Sequence, residues 1–284
     1  MNLQKHEDLV NKNLEYVWHP FTQMGVYSKH DPIIIEKGKG SYLYDTKGNK
    51  YLDGYASLWV NVHGHNDKKL NKAIHKQLDN IAHSTLLGSS NIPSIELAEQ
   101  LVRITPESLK KVFYSDTGSA AVEIAIKMAY QYWKNLDPVK YAKKNKFITL
   151  HNGYHGDTIG SVSVGGIDAF HKIFNDLIFE NIQVDCPSFY HSDYESEEEM
   201  VESILTHIDT ILQERADEIV GFVMEPLIQG ATGLFVHPAG FLKGVEKLCR
   251  KHNILLIVDE VAVGFGRTGQ MFACYHEDVK PDIM

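Results

Sequence analysis

Asp259 ends the uninterrupted apolar run Ile254-Leu255-Leu256-Ile257-Val258, and Glu260 and Val261-Ala262-Val263-Gly264-Phe265-Gly266-Arg267-Thr268-Gly269 follow it. A β-branched and leucine run of this kind reads as a buried parallel strand, and open α/β sheets bind ligands just beyond the carboxyl ends of their strands. A carboxylate placed there can do two kinds of chemistry. It can hold Mg²⁺ for a nucleotide, as in P-loop ATPases, or pair with a protonated ring nitrogen and keep a heterocyclic cofactor an electron sink. The first needs a G-x-x-x-x-G-K-[ST] loop to hold the phosphates, and none of the 21 glycines falls in that pattern. The second reading is the one retained.

Gly118 and Ser119 open an apolar, helix-period segment directly after a short strand, Val112-Phe113-Tyr114. The free N–H groups and positive dipole end of such a helix suit a phosphate, with Asp116 or Thr117 capping the first turn. An ordinary capped helix, its core stripe at Ala121, Ile124, Ala125 and Met128, is the competing reading. Tyr154 lies between Gly153 and Gly156 past another strand end, where its ring can lie flat on a second ring or simply cap the core. His151 and His155 are four apart and would share a helix face, which raises a metal pair; neither has the H-E-x-x-H context, and no metal is expected. His63 and His65 flank Gly64 in a turn and read as structural imidazoles. Arg267 is a candidate anion holder or a loop brace, and Glu225 lines a site or caps a loop.

These residues need a scaffold of alternating strands and helices. Strands are read at Val112–Tyr114, Phe147–Leu150, Ile219–Met224 and Ile254–Val258, and helices at Gly118–Trp133, Glu197–Arg215 and Ala239–His252. Helices at Asn71–Ile81 and Pro93–Ile104 precede them. Units of this length predict an α/β fold with a mostly parallel sheet flanked by helices. Before Gly64 the pattern differs: Ile33–Glu36, Ser41–Tyr44 and Lys50–Asp53, separated by glycine-bearing turns, read as a small antiparallel meander.

Composition sets outer limits. The 284 residues are 43% hydrophobic and 23% charged, ordinary for a globular protein. A formal charge of −9 argues against nucleic acid or an anionic membrane as partner. Cys186, Cys249 and Cys274 are odd in number and lack C-x-x-C spacing, which fits a reducing compartment. The polar N-terminus and the lack of any apolar run near 18 residues make the cytoplasm the expected location.

Three segments in order, Tyr114-Ser115-Asp116-Thr117-Gly118-Ser119-Ala120-Ala121-Val122-Glu123, His151-Asn152-Gly153-Tyr154-His155-Gly156 and Ile257-Val258-Asp259-Glu260-Val261, resemble the cofactor motifs of class III aminotransferases. Trp18-His19-Pro20-Phe21-Thr22-Gln23-Met24 and Ser57-Leu58-Trp59-Val60-Asn61-Val62-His63-Gly64-His65 narrow the resemblance to the 7,8-diaminononanoate synthases of biotin biosynthesis, from about residue 14 onward. The resemblance implies a fold-type I enzyme dependent on pyridoxal 5'-phosphate, acting as a homodimer. Residues 1–64 would form the N-terminal part of a small domain and residues 65–284 the large cofactor-binding domain.

The implied cofactor residues are Gly118, Ser119, Tyr154, Asp259 and Val261, with Tyr154 stacking on one face of the pyridine and Val261 on the other. The implied substrate-side residues are Phe21, Trp59 and Tyr154. The implied reaction moves an amino group onto 8-amino-7-oxononanoate. Many members carry Tyr where this chain has Phe21, and members that use lysine instead of S-adenosylmethionine can carry Phe, so lysine is expected at least to compete as donor. Thr is usual where Val263 stands. The Schiff-base lysine is expected shortly after Met284, so no catalytic lysine lies in the 284 residues and the chain alone is expected to be inactive. The alternatives are another class III ω-amino acid aminotransferase and a noncatalytic truncated remnant.

Overall fold

A computed structural model describes residues 3–167, 172–190 and 192–284, which fall into two compact units, Met1–Ser90 and Asn91–Met284. The first unit opens with helix α1 (Leu3–Tyr16) and the single turn α2 (Met24–Tyr27), followed by an antiparallel meander of β1 (Ile35–Lys39), β2 (Tyr42–Asp45) and β3 (Lys50–Leu52). The Asp45 carboxylate pins the β2–β3 turn by accepting the amides of Lys47 and Asn49, the Asn49 side-chain amide and the Tyr51 hydroxyl. After β3 the backbone makes a left-handed turn in which Ala56, Ser57, Leu58 and Trp59 all have positive φ. Non-glycine residues pay for that conformation in strain, and Asp53 offsets it by accepting the Ser57 amide and hydroxyl and the His65 Nε2–H. Helix α3 (Lys68–Asn80) then starts at the Asp67 cap.

The second unit is the α/β body. Its helices are α4 (Ile92–Ile104), α5 (Gly118–Leu136), α6 (Ile159–Ser163), α7 (Glu197–Arg215) and α8 (Phe241–Lys251). Its main sheet runs β5 (Ile182–Val184), β4 (Lys146–Leu150), β6 (Ile219–Met224), β9 (Leu255–Val258), with every pairing parallel. A short hairpin of β7 (Ile228–Gln229) and β8 (Phe235–Val236) sits between β6 and α8 in sequence. Side chains alternate along the strands except in β6, where a register shift against β4 between Ile219 and Gly221 slips the pattern. Ile148, Leu150, Phe222, Met224, Leu256 and Val258 pack on one face with α7 and α8, while Phe147, Val220, Val223 and Ile257 pack on the other with α5. Each fully buried side chain of this size contributes about 1.5–3 kcal/mol, so both faces are core, as a parallel sheet requires. The Trp133 indole N–H donates to the Val220 carbonyl at 2.9 Å and ties α5 to the sheet.

Two local expectations are corrected. Val112–Tyr114 is not a ladder strand, and Tyr114 instead lines a cavity of about 630 Å³ together with Ile257 and Asp259. The buried stripe of α5 is Val122, Ala125, Ile126, Ala129 and Trp133. Ala121, Ile124 and Met128 are less buried and line that cavity together with Val122 and Ala125, so the buried stripe is rotated about one residue from the expected one and shares only Ala125 with it. Among the described residues no helix is long and apolar enough to cross a membrane.

Candidate active site

From β4 the chain crosses to β5 on one side and to β6 and β9 on the other, so the sheet's switch point lies at β4 and β6. That is where open α/β sheets bind ligands. Three strand ends meet there: the loop after β4 carries Gly153–Asp157, Glu225 directly follows β6, and Asp259 directly follows β9.

The Asp259 carboxylate is held from two sides. His155 Nδ1–H donates to its Oδ2 at 2.8 Å, and the Val261 amide donates to its Oδ1 at 3.1 Å. Both side chains are nearly closed off, 1% exposed for His155 and 8% for Asp259. Burial alone lowers an imidazole pKa, but the hydrogen bond and charge of Asp259, with the charge of Glu225, outweigh it and His155 is raised. The Glu225 carboxylate accepts the Tyr154 amide at 3.0 Å and the Gly230 amide at 2.8 Å. Burial raises its pKa against the opposing pull of His155 and those two N–H groups.

Helix α5 supplies the other wall. Thr117, not Asp116, is its cap, accepting the Ala120 amide at 3.1 Å, so the amides of Gly118 and Ser119 come before any intrahelical partner. A Cβ on Gly118 would lie 3.3 Å from a Val261 methyl, which places the helix start directly against the residue after Asp259. The Ser119 hydroxyl accepts the Asp157 amide at 3.1 Å. The Tyr154 hydroxyl donates to Asp157 at 2.7 Å, and its pKa is raised by burial and by that carboxylate.

Of the residues singled out from sequence, Gly118, Ser119, Tyr154, Asp259 and Val261 thus belong to one contiguous constellation in the second unit. Phe21 (80% exposed) and Trp59 (41% exposed) belong to the first unit, and both have positive φ. The His151–His155 pair is corrected: the segment is not helical, so the two imidazoles share no face, and His155 is committed to Asp259. Among the described residues no group of three His, Cys, Asp or Glu converges as a metal site. Glu260, the second acid of the Asp-Glu pair, is buried and accepts the amides of Ala273 and Cys274 at 2.9 Å, so it clasps its own loop. Sequence reading missed the partnership of His155, whose only signal was its place beside Tyr154.

The family described as Aminotransferase class-III matches residues 24–284. The chain is 78% identical over 278 residues to an adenosylmethionine-8-amino-7-oxononanoate aminotransferase of Staphylococcus aureus (strain NCTC 8325 / PS 47), covering 98% of this chain and 62% of that protein. The crystal structure of adenosylmethionine-8-amino-7-oxononanoate aminotransferase from Methanocaldococcus jannaschii DSM 2661 superposes with a TM-score of 0.87 at 44% identity, over 97% of this chain and 60% of that one. An omega transaminase from Pseudomonas jessenii, solved in complex with PMP, superposes at 0.89 with 36% identity, over 96% of this chain and 60% of that one. The chain therefore spans about 60% of the length of these relatives. With the family's match covering nearly the whole sequence, the chain belongs to the class III aminotransferases.

Proposed function

We propose that the gene product carrying this chain transfers an amino group to 8-amino-7-oxononanoate, giving 7,8-diaminononanoate, with pyridoxal 5'-phosphate as cofactor. The observation that carries the reading is the buried Asp259 carboxylate, fixed by His155 and set against the amino end of α5 through Val261 and Gly118. The reaction comes from the named relative at 78% identity.

The residues present fit the cofactor. When bound, it supplies an aldehyde for amine exchange and a ring that withdraws electrons. Asp259 would accept a hydrogen bond from the protonated ring nitrogen, Val261 would pack one ring face and Tyr154 the other. The Gly118 and Ser119 amides and the Ser119 hydroxyl would hold the phosphate at the positive end of α5. Having no side chain, Gly118 lets the start of α5 lie directly against Val261, where a Cβ would already be tight. Phe21 and Trp59 would serve the substrate, with Phe21 giving an apolar face in place of a hydroxyl. A homodimer in the cytoplasm, with a donor that is S-adenosylmethionine or lysine, completes the reading.

A second reading, an ω-transaminase of other amines, is favoured by the superposition on the Pseudomonas jessenii enzyme. One assay separates them. The gene product, read through to its stop codon and loaded with pyridoxal 5'-phosphate, is given 8-amino-7-oxononanoate with S-adenosylmethionine or lysine, and separately pyruvate with a simple aryl amine. Diaminononanoate from either natural donor supports the first reading. Activity confined to the aryl amine overturns it.

A further inference from the structure

Glu225 is 5% exposed at the end of β6, where no surface role requires a carboxylate. Its two oxygens are occupied by main-chain amides, that of Tyr154 from the loop after β4 and that of Gly230 after β7. The charged groups acting on it from its surroundings are His155 and Asp259. The Cys186 thiol near β5 is neutral, its pKa pushed up to about 12 by burial, with the charges of Glu225 and Asp185 adding to it.

Three ionisable side chains therefore share one buried region: Asp259, His155 and Glu225. With His155 protonated, one imidazolium and two carboxylates leave the group with one surplus negative charge. If Glu225 were neutral, the His155–Asp259 pair would still present an acceptor but no net charge. A protonated ring nitrogen brings the four groups to zero, and burying that balanced set avoids the large cost of an uncompensated charge.

We infer that Glu225 is a positioning residue that supplies the surplus negative charge by which this site selects a cationic ring nitrogen. The inference rests on the cofactor reading above. Through its hydrogen bond to the Tyr154 amide, Glu225 also fixes the backbone that carries the proposed stacking ring, so charge and ring position are set by one side chain. Because burial raises the Glu225 pKa, acidification removes the surplus charge before an exposed glutamate would protonate.

The test uses two probes that need no covalent attachment: pyridoxamine 5'-phosphate and its carbocyclic analogue, in which the ring nitrogen is replaced by C–H. Dissociation constants are measured for the gene product, for Glu225→Gln and for Glu225→Asp, with circular dichroism as a check on folding. The quantity read is the preference for the nitrogen-bearing probe, in which the shared phosphate cancels. Glu225→Gln is expected to cut this preference at least tenfold, and Glu225→Asp to keep most of it. In the unmodified protein the preference is expected to fall as pH is lowered through the raised pKa of Glu225. This pH profile needs no variant and decides the matter if Glu225→Gln does not fold. Equal weakening of both probes in Glu225→Gln, or a preference independent of pH, overturns the inference and leaves Glu225 a backbone brace. Failure of the unmodified protein to bind pyridoxamine 5'-phosphate overturns the cofactor reading itself, which is a separate result.

Discussion

Gly156 lies so close to Ser119 that a Cβ built on it would overlap the Ser119 hydroxyl. The Gly156 backbone is also at φ +116°, where an L side chain is strained. Two independent penalties thus meet at one position, and both act on the hydroxyl proposed to hold phosphate. Gly156→Ala is expected to destabilise the protein by about 2–4 kcal/mol and to weaken pyridoxamine 5'-phosphate binding at least tenfold. Urea unfolding and a spectroscopic titration measure the two effects. An alanine variant that binds as tightly as the parent would remove Ser119 from the phosphate site.

Asp259→Asn keeps an oxygen that can accept from His155 and loses the charge opposite the proposed ring nitrogen. Turnover of the gene product is expected to fall more than tenfold, at least about 1.4 kcal/mol of barrier, with a smaller effect on folding. Steady-state kinetics and thermal unfolding on the same preparation make the comparison. Turnover within tenfold of the parent is the result that would take Asp259 out of its role.

How much of this was legible in the sequence depends on range. Asp259 announces itself because an apolar run ends on it, and Gly118 because a cap and a helix period meet there. Helix α7 and strand β6 match their expected bounds because each is long or uniformly apolar. His155 could not be paired with Asp259, 104 positions away, since that contact exists only because the sheet order brings the ends of β4, β6 and β9 together. Strand order is not written in local periodicity. The same limit applies to Val112–Tyr114, whose composition suits a strand but which pairs with none in the described sheet. Glu225 was read as lining a site or capping a loop, and its two amide contacts show the second.

Glu260 separates the two chemistries that an Asp-Glu strand end suggests. As a clasp, it holds the amides of Ala273 and Cys274 across the loop after β9, and Glu260→Ala leaves both buried donors without their acceptor. The expected cost is about 2–4 kcal/mol, with Glu260→Gln losing less because its amide oxygen can replace one contact. Added Mg²⁺ should leave the unfolding midpoint of the parent unchanged. A midpoint raised by millimolar Mg²⁺ and abolished in Glu260→Gln would restore the metal reading.

Lys144 gives a stability signature far from the site's chemistry. It is 3% exposed, and its ammonium donates to the carbonyls of Ala216, Ile219 and Asn253 and lies 4.4 Å from the Trp133 ring centroid. These contacts join the end of α7, the start of β6 and the approach to β9. Among the described residues no carboxylate is a hydrogen-bond acceptor of its ammonium, and burial lowers its pKa from 10.5 to about 8. Between those values the unfolded chain holds the proton and the folded chain has released it, so stability rises with pH across that window. Below about pH 8 the charge is present in both states and the gain is lost. Lys144→Met removes the titration, and its unfolding free energy should lack this rise. The measurement is urea unfolding of parent and variant at pH 7, 8, 9 and 10, read as the difference between them so that other titrating groups largely cancel. The difference should move in favour of the parent from pH 8 upward, and a difference flat across the series would mean that Lys144 keeps an ordinary pKa in the folded protein.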